Sequence, residues 1–378
     1  MARLLATGLL LGVAVSGVAQ QGCPASVTNF LLRTPMHSPC AAVLPTAGLT
    51  YGRVCLHRPS VRATAQDGAS TPSRQKLVTD AGYREVAWPQ PATTAVGSPS
   101  PWHWGEVVAV ATTASGNVLV LHRGAQPVME FDVAGRFLRS WGEGTISEGK
   151  VTLVAEEHRA PGASGYAAVY GPAGCHACGA HSIRVDGQGN VWVVDAAGHV
   201  VTKTGPDGRV LLRLGEKGVM GTGRRHFNLP TDVAFAPGGD LYVSDGYGNA
   251  RVVKFSSEGE YLLEWGSRGT GPGEFGLPHN LVTDARGRVY VTDRDNRRIQ
   301  VFDADGAFLA EWKDVGPVST LFMTAGQRIW AGGVLRELDG RVVARLPLET
   351  GGHGTTVAGR DAVFVAQLNG RVQKFVRE

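Results

Sequence analysis

The feature that most constrains this chain is a repeat. Three short runs rich in β-branched and aromatic residues each end in an aspartate, and these aspartates, Asp195, Asp245 and Asp293, are 50 and 48 residues apart. Each run follows a glycine-containing turn and another short apolar run, and two more such runs come after it. Four strands per unit at this period are typical of a β-propeller, in which every unit forms one blade.

Less regular copies of the unit flank these three, so the sequence predicts an all-β, six-bladed β-propeller over residues 82–378. The last unit supplies only two or three strands of its own. The segment Arg84–Trp88 can provide the missing strand and close the ring, which would remove an exposed sheet edge. The flanking units span Val107–Trp141, Val318–Leu346 and His353–Phe375.

Composition agrees with this architecture and excludes other classes of protein. The 52 glycines and 20 prolines suit tight turns and disfavour long helices. A net charge of +4 over 378 residues is too small for the basic footprint of a nucleic-acid-binding protein. A mean hydropathy near zero excludes a chain that crosses a membrane many times, and the sequence predicts no membrane span.

The N-terminal region does not carry the repeat. Residues 1–19 combine a positive charge, an apolar stretch and a Gly17-Val-Ala19 cleavage-like site, which predicts a signal peptide and export to the periplasm or the medium. Residues 20–81 are rich in Pro, Ser, Thr and Ala, which indicates an irregular extension. An exported chain can form disulfides, but an odd number of cysteines leaves the pairing open. The cysteines are Cys23, Cys40, Cys55, Cys175 and Cys178.

Three histidines occupy equivalent positions in alternate units. His181, His279 and His353 each stand where a first strand begins, beside the central channel of the predicted propeller. Alternate blades of a six-bladed ring are related by about a third of a turn, so the three imidazoles can converge on the axis. Three neutral histidines with an open fourth position form a catalytic zinc site, whereas a single such histidine is more often a polar rim residue. The pattern therefore predicts Zn²⁺.

The loops after the second strands open on the same face and carry Tyr247, Arg294 and Arg123. A tyrosine has a pKa of about 10, but nearby cations and a metal favour its phenolate. Because arginine binds carboxylates through paired hydrogen bonds, these residues suit a small anionic substrate with a hydroxyl group to deprotonate. The ordinary alternatives are a tyrosine that packs a loop and arginines that pair with repeat aspartates. The other histidines considered fall outside the register and are expected at the surface or in support of the site: His122, His176, His199 and His226.

Several motifs are more specific than the repeat itself. From about Trp88 to Phe375 the chain resembles the peptidyl-α-hydroxyglycine α-amidating lyase (peptidylamidoglycolate lyase) family, which is built on NHL repeats. The motifs that carry this resemblance are His122-Arg-Gly124, Pro230-Thr-Asp-Val-Ala234, Ser244-Asp-Gly-Tyr-Gly-Asn-Ala-Arg251, Leu277-Pro-His-Asn-Leu281 and Asp293-Arg-Asp-Asn-Arg-Arg-Ile-Gln300.

The resemblance implies an activity and a role for each site residue. The implied reaction cleaves the C–N bond of a C-terminal α-hydroxyglycine, on a peptide or an N-acyl group, and releases an amide and glyoxylate. It needs no redox cofactor, but a copper monooxygenase must make the hydroxyglycine, and this chain has no room for one beside the propeller. That enzyme would be a separate protein, and we expect the lyase to be a monomer. The matching residues are His181, His279 and His353 as zinc ligands, Tyr247 as the base, and Arg123 and Arg294 as active-site arginines.

The resemblance also implies a structural Ca²⁺, to which this sequence is less suited. The family places an acidic calcium ligand directly after the third histidine, where this chain has Gly354. The remaining contacts would be backbone carbonyls near Val110 and at Ile183, and carbonyls alone make a weak site for a hard dication. A cysteine that follows the catalytic tyrosine in vertebrate members is likewise replaced, by Gly248.

Two other functions are compatible with a propeller of this kind. A non-catalytic NHL propeller would bind a protein or peptide on the same face, and three inward-pointing histidines with Tyr247 and both arginines would argue against it. A metal-dependent lactone hydrolase would use carboxylate and asparagine ligands for a hard ion, whereas the register here offers imidazoles.

Overall fold

The computed structural model describes residues 82–88, 106–124, 126–147 and 179–378, together with the backbone of two short strands. Contacts divide the chain into two units, Met1–Arg74 and Gln75–Glu378. In the first unit, β1 (Cys40–Ala42) and β2 (Arg53–Cys55) pair antiparallel, with Cys40 opposite Cys55.

Part of what the sequence predicts lies outside the described residues. This holds for the signal peptide, for most of the irregular extension, and for three of the cysteines. The predicted domain limits therefore stay predictions. The cysteines outside the described residues are Cys23, Cys175 and Cys178.

The second unit is a six-bladed β-propeller, which confirms the predicted fold class. Its six four-stranded sheets follow one another along the chain, and in each blade neighbouring strands run antiparallel. Blade 1 consists of β4 (Val107–Thr112), β5 (Val118–His122), β6 (Val128–Phe131) and β7 (Phe137–Trp141). Blade 2 consists of β8 (Ala180–Val185), β9 (Val191–Asp195), β10 (Val200–Thr204) and β11 (Val210–Leu214). Blade 3 consists of β12 (Asp232–Phe235), β13 (Leu241–Asp245), β14 (Arg251–Phe255) and β15 (Tyr261–Trp265).

The remaining blades repeat the pattern with shorter strands in the fifth. A parallel pair of two-residue strands, β16 (Ser267–Arg268) and β17 (Glu274–Phe275), lies between blades 3 and 4. Blade 4 consists of β18 (Pro278–Thr283), β19 (Val289–Asp293), β20 (Arg298–Phe302) and β21 (Phe308–Trp312). Blade 5 consists of β22 (Leu321–Met323), β23 (Ile329–Ala331), β24 (Val334–Arg336) and β25 (Val342–Arg345).

Blade 6 closes the ring in the way the sequence predicts. Its inner strands β26 (Gly354–Ala358), β27 (Ala362–Gln367) and β28 (Arg371–Arg377) come from the end of the chain. The outermost strand is β3 (Tyr83–Val86), which pairs antiparallel with β28. The two ends of the propeller sequence therefore share one sheet.

The core lies between the blades. Within the described residues, each pair of neighbouring blades shares a buried apolar cluster. The second strand β9 is buried along its whole length because both of its faces are covered, whereas the fourth strand β15 alternates between half-buried and exposed residues because one face meets solvent. Every regular element in the described ranges is a strand, and none of these ranges holds a helix able to cross a bilayer.

Candidate functional site

The three histidines of the predicted zinc site meet at one end of the central channel. His181 and His279 lie at the start of β8 and β18, and His353 directly precedes β26, so they come from the first strands of blades 2, 4 and 6. Each side chain is buried, and one ligand atom from each lies within 4.8 Å of the other two. The ring centroids are 4.7, 4.8 and 5.1 Å apart.

Backbone carbonyls fix the orientation of all three imidazoles. The Nδ1 atom of His181 lies 2.5 Å from the carbonyl oxygen of Thr231, and that of His279 lies 2.9 Å from the oxygen of Ser319. The Nδ1 atom of His353 lies 2.7 Å from the oxygen of Val108. Because a carbonyl can only accept, each Nδ1 carries the proton, and each Nε2 carries a lone pair. Metal-binding histidines are held in this way.

Burial keeps two of these imidazoles, His181 and His279, neutral. It lowers the pKa of His181 well below the ordinary value of 6.5, and the charges of His353 and Arg123 act in the same direction. Burial likewise lowers the pKa of His279 well below 6.5, with a further contribution from Arg294. A metal ligand must be unprotonated, so this environment suits a cation.

The donor set fits zinc. Two nitrogens bound to one tetrahedral zinc ion lie about 3.4 Å apart, given a Zn–N bond of about 2.0–2.1 Å. The three ligand atoms need only small ring movements to reach that separation. Three neutral imidazoles are a donor set that zinc prefers and that calcium does not.

The hydroxyl of Tyr247 lies next to the histidine cluster. It is 3.1 Å from Nε2 of His181 and 3.1 Å from Nε2 of His279. Tyr247 is fully buried and lies in the loop between β13 and β14. Any molecule that approaches the histidines from this side therefore meets the phenol.

Opposing influences set the acidity of Tyr247. Burial is the largest of them and raises its pKa above 10, while Arg294 and Arg123 lower it. Arg294 also acts through a hydrogen bond, and its guanidinium carbon lies 5.7 Å from the centre of the tyrosine ring. Without a metal the residue is therefore a phenol at neutral pH, and the two arginines supply only part of what a phenolate needs.

The two predicted arginines flank the tyrosine from different blades. Arg123 follows β5 and is held by an ion pair with Glu106, with 2.5 Å between Nη1 and Oε2, and by a 3.3 Å hydrogen bond from Nε to the Ala180 carbonyl. Arg294 follows β19 and forms a 3.4 Å ion pair with its neighbour Asp295.

The repeat aspartates have a different set of partners. Asp245 pairs with Arg251 at 3.1 Å, and Asp293 pairs with Arg298 at 2.9 Å. Their carboxylates also accept hydrogen bonds from backbone N–H groups of the preceding interblade segment. Asp245, for example, accepts the N–H of Asn228 at 2.8 Å. The arginines that pair with these repeat aspartates are therefore Arg251 and Arg298, rather than the predicted Arg123 and Arg294.

A polar network braces the channel behind the histidines. Arg184, on β8, donates to both carboxylate oxygens of Asp232, at 3.1 and 2.6 Å, and to the side-chain oxygen of Asn280 at 2.8 Å. Its Nη2 also reaches the Leu321 carbonyl at 3.1 Å. These contacts join the first strands of blades 2, 3, 4 and 5. They hold rigid the strands on which His181 and His279 stand.

Gly354 has no room for the acidic residue that the family resemblance implies after the third histidine. A Cβ atom built on Gly354 would lie 2.5 Å from the Cα of Ala109 in blade 1. A side chain here would require blade 1 to move. The expectation of weak calcium binding stays a prediction.

Two of the remaining histidines are more buried than the sequence suggests. His122 and His199 are both buried, and burial lowers the pKa of each to about 4. The side chain of His226 is 34% exposed, and His176 lies outside the described residues.

Several residues that shape this site could not be predicted from the sequence. Glu106 lies 17 residues from Arg123, and Arg184 lies 48 residues from Asp232, so no local motif contains both members of either pair. The carbonyls that orient the histidines belong to segments whose side chains are unremarkable in type. Only the closed ring brings them together.

Sequence comparison supports the reading of the repeat. The NHL repeat family model matches residues 227–255 and 275–302, which lie in blades 3 and 4. The chain is 35% identical over 212 residues to the peptidyl-glycine alpha-amidating monooxygenase of Mus musculus, covering 53% of this chain and 21% of that protein. It is 30% identical over 204 residues to a peptidyl-alpha-hydroxyglycine alpha-amidating lyase of Caenorhabditis elegans, covering 53% of this chain and 56% of that protein. The predicted resemblance is confirmed.

These matches cover only part of each relative, and not every relative is named as an amidating enzyme. The aligned part of the chain spans about a fifth of the mouse protein and about half of the worm protein. The NHL repeat-containing protein 3 of Homo sapiens is 38% identical over 151 residues, covering 36% of this chain and 44% of that protein. Among solved structures, the WD40 β-propeller domain of Doa1 has a TM-score of 0.50 at 12% identity, covering 79% of this chain and 98% of that one, which shows the fold alone.

Proposed function

We propose that this protein is a zinc-dependent lyase that cleaves the C–N bond of a C-terminal α-hydroxyglycine, on a peptide or an N-acyl group. The products are an amide and glyoxylate. The observation that carries the proposal is the position of the Tyr247 hydroxyl, 3.1 Å from Nε2 of two of the three converging histidines. Relatives whose names include α-amidating lyase and α-amidating monooxygenase support the same reaction class.

The charge of the site suits this substrate. An α-hydroxyglycine ends in a carboxylate, and Arg123 and Arg294 bring two guanidinium groups to the tyrosine from blades 1 and 4. Guanidinium groups bind carboxylates with defined geometry, so they would orient the adjacent hydroxyl towards Tyr247. A zinc ion held by His181, His279 and His353 would supply a Lewis acid that polarises a substrate oxygen.

The reaction then needs one base and no change of oxidation state. Tyr247, as the phenolate, takes the proton of the substrate hydroxyl, and the C–O bond becomes a carbonyl. The C–N bond breaks, its electron pair goes to nitrogen, and the nitrogen takes a proton from Tyr247. Atoms and charge balance with glyoxylate and a primary amide as products. Arg294 and Arg123 favour the phenolate that starts this cycle.

We further propose that the protein is exported as a monomer. The sequence of residues 1–19 supports export, and an exported chain would meet oxidising conditions for its cysteines. A separate copper monooxygenase would supply the hydroxyglycine substrate.

The alternative is a non-catalytic NHL propeller that binds a protein or peptide on the same face. The name of the human relative refers only to its NHL repeats, and it is compatible with this alternative. The convergence of three histidines, a buried tyrosine and two arginines favours catalysis, because a binding surface has no need of neutral imidazoles aimed at one point.

The test is glyoxylate release from an N-acyl-α-hydroxyglycine by the full chain, with zinc measured in the same sample. Tyr247→Phe should keep the zinc and lower kcat by roughly 10²–10⁴-fold, the usual contribution of a positioned base. His279→Ala should lose both zinc and turnover. Tyr261→Phe, which changes a tyrosine on the outer strand β15, should match the wild type.

Each result has a distinct meaning. Zinc-loaded protein that releases no glyoxylate would contradict the lyase and leave the metal site standing. Protein that binds no zinc at micromolar concentrations would contradict the three-histidine site and favour the binding propeller.

A further inference from the structure

A fourth histidine contacts the segment that holds the site together. His199 lies in the turn between β9 and β10 of blade 2, and it is buried. Its Nδ1 atom accepts a hydrogen bond from the backbone N–H of Leu229, at 3.2 Å. Leu229 belongs to the segment that leads into blade 3, so this bond joins two blades.

The segment 228–231 carries the carbonyls that place both the tyrosine and a histidine. The Leu229 oxygen accepts the N–H of Tyr247 at 3.4 Å, and the Asn228 oxygen accepts the N–H of Gly248 at 3.0 Å. The Thr231 oxygen lies 2.5 Å from Nδ1 of His181. A displacement of this segment would therefore move the base and one metal ligand together.

Leu229 has a backbone conformation that needs support. Its φ angle is 60°, in the left-handed region that a bulky residue rarely adopts. Such a conformation persists only where the surrounding structure holds it. The hydrogen bond from its N–H to His199 is one such constraint, and burial of the leucine side chain is another.

The chemistry of His199 suits this role. A backbone N–H can only donate, so Nδ1 of His199 must carry a lone pair. Burial lowers the pKa of His199 to about 4, so the ring stays neutral and keeps that lone pair at physiological pH. His199 itself has a φ angle of 56°, a conformation that asparagine and glycine adopt more readily than other residues.

We infer that His199 is a positioning residue, which fixes Tyr247 and His181 by accepting the N–H of Leu229. Its effect on turnover rests on the proposed lyase function, whereas its effect on the segment 228–231 does not.

The test compares His199→Asn with His199→Gly in the full chain. The asparagine side-chain oxygen can take the place of Nδ1 and accept the same N–H, while glycine relieves the backbone conformation but removes the acceptor. Asp314→Gly is the matched control, because Asp314 is exposed and has a φ angle of 55°.

The first measurement is hydrogen exchange by mass spectrometry on metal-free protein, in peptides that cover 226–232 and 244–250. We expect His199→Gly to exchange about tenfold faster in both peptides, because each depends on the displaced segment, and at the wild-type rate in blade 5. His199→Asn and Asp314→Gly should exchange as the wild type does.

The second measurement is the kinetics of glyoxylate release. We expect His199→Gly to lower kcat by about 10–100-fold with KM within about threefold, because small misplacements of a reacting group cost rate rather than affinity. His199→Asn should recover most of the loss.

Wild-type exchange in His199→Gly would overturn the inference, and so would equal losses in the glycine and asparagine variants. If the wild type releases no glyoxylate, the proposed function fails and the exchange measurement still decides the role of His199.

Discussion

At the scale of single residues, the direction of one hydrogen bond decides what each buried histidine does. In His181, His279 and His353, Nδ1 donates to a carbonyl, so Nε2 presents its lone pair to the channel. In His122 and His199, Nδ1 accepts a backbone N–H, so the ring acts as a fixed acceptor inside the protein. The same side chain can thus serve as a metal ligand in one setting and as a structural acceptor in the other.

We predict that His122 makes the folded state sensitive to acid. Burial lowers its pKa to about 4, while the unfolded chain should have the ordinary value near 6.5. Between these values the unfolded state binds a proton that the folded state does not. The stability that this group provides is therefore complete above pH 6.5 and is lost as the pH falls towards 4. It should amount to roughly 2 kcal/mol between pH 7 and pH 5.

Urea unfolding at these two pH values checks the prediction. His122→Asn keeps an acceptor for the Gly124 N–H, which lies 3.1 Å from Nδ1, but does not titrate. Its free energy of unfolding should therefore fall less on acidification than that of the wild type. His226→Asn, at a partly exposed position, is the control. If the free energy of unfolding fell equally in the wild type and in His122→Asn, His122 would not be the group that binds this proton.

At the scale of elements, the loops after the second strands owe their shape to the repeat motif. The aspartate that ends β13 or β19 binds the preceding interblade segment and the arginine at the start of the next strand. This arrangement fixes the two ends of each loop. In blade 3 the loop presents Tyr247, and in blade 4 it presents Arg294. The repeat thus builds the loop, and the residues inside it supply the chemistry.

The loop that carries Tyr247 requires glycine at position 246. A Cβ atom on Gly246 would overlap the carbonyl oxygen of Pro278 in blade 4. We predict that Gly246→Ala lowers the free energy of unfolding by about 1–3 kcal/mol, a typical cost of overpacking, and lowers kcat because Tyr247 is adjacent. Gly238→Ala, where a Cβ meets nothing within 4 Å, should change neither. Thermal unfolding and glyoxylate release measure both effects, and a fully active Gly246→Ala would mean that the loop has room to move.

At the scale of the whole molecule, the site exists only because the ring closes. Its three histidines come from blades 2, 4 and 6, and the carbonyl that orients His353 belongs to Val108 of blade 1. Blades 6 and 1 meet where the propeller sequence, residues 82–378, begins and ends. The strand β3 completes blade 6, and Trp88, just beyond it, packs edge-on against Phe364 of blade 6 and Phe131 of blade 1, at 5.5 and 5.2 Å.

We predict that Trp88→Ala is one of the most damaging apolar truncations in the described part of the chain. Trp88 is only 4% exposed and belongs to the cluster shared by blades 1 and 6, so its loss should cost roughly 3–5 kcal/mol. Leu309→Ala, at a residue that is 50% exposed on β21, should cost less than about 0.5 kcal/mol. Chemical denaturation measures both. A small effect at Trp88 would show that β3 alone holds the ring closed.

The architecture and the residue types at the site could be predicted from the sequence. Strand order and the position of the histidines follow from the period of the repeat, because each blade is built from local hairpins whose turns and apolar runs are contiguous in the chain. The closing strand could be placed for the same reason, since a last unit that lacks a strand needs one from elsewhere.

How these residues are held became evident only in the folded molecule. The carbonyls of Thr231, Ser319 and Val108 select the tautomer of each histidine, and the ion pair with Glu106 fixes Arg123. These partners lie far apart in the chain, and such contacts leave no periodic trace in the sequence. Burial, which keeps His181 and His279 neutral and opposes ionisation of Tyr247, is likewise a property of the closed ring.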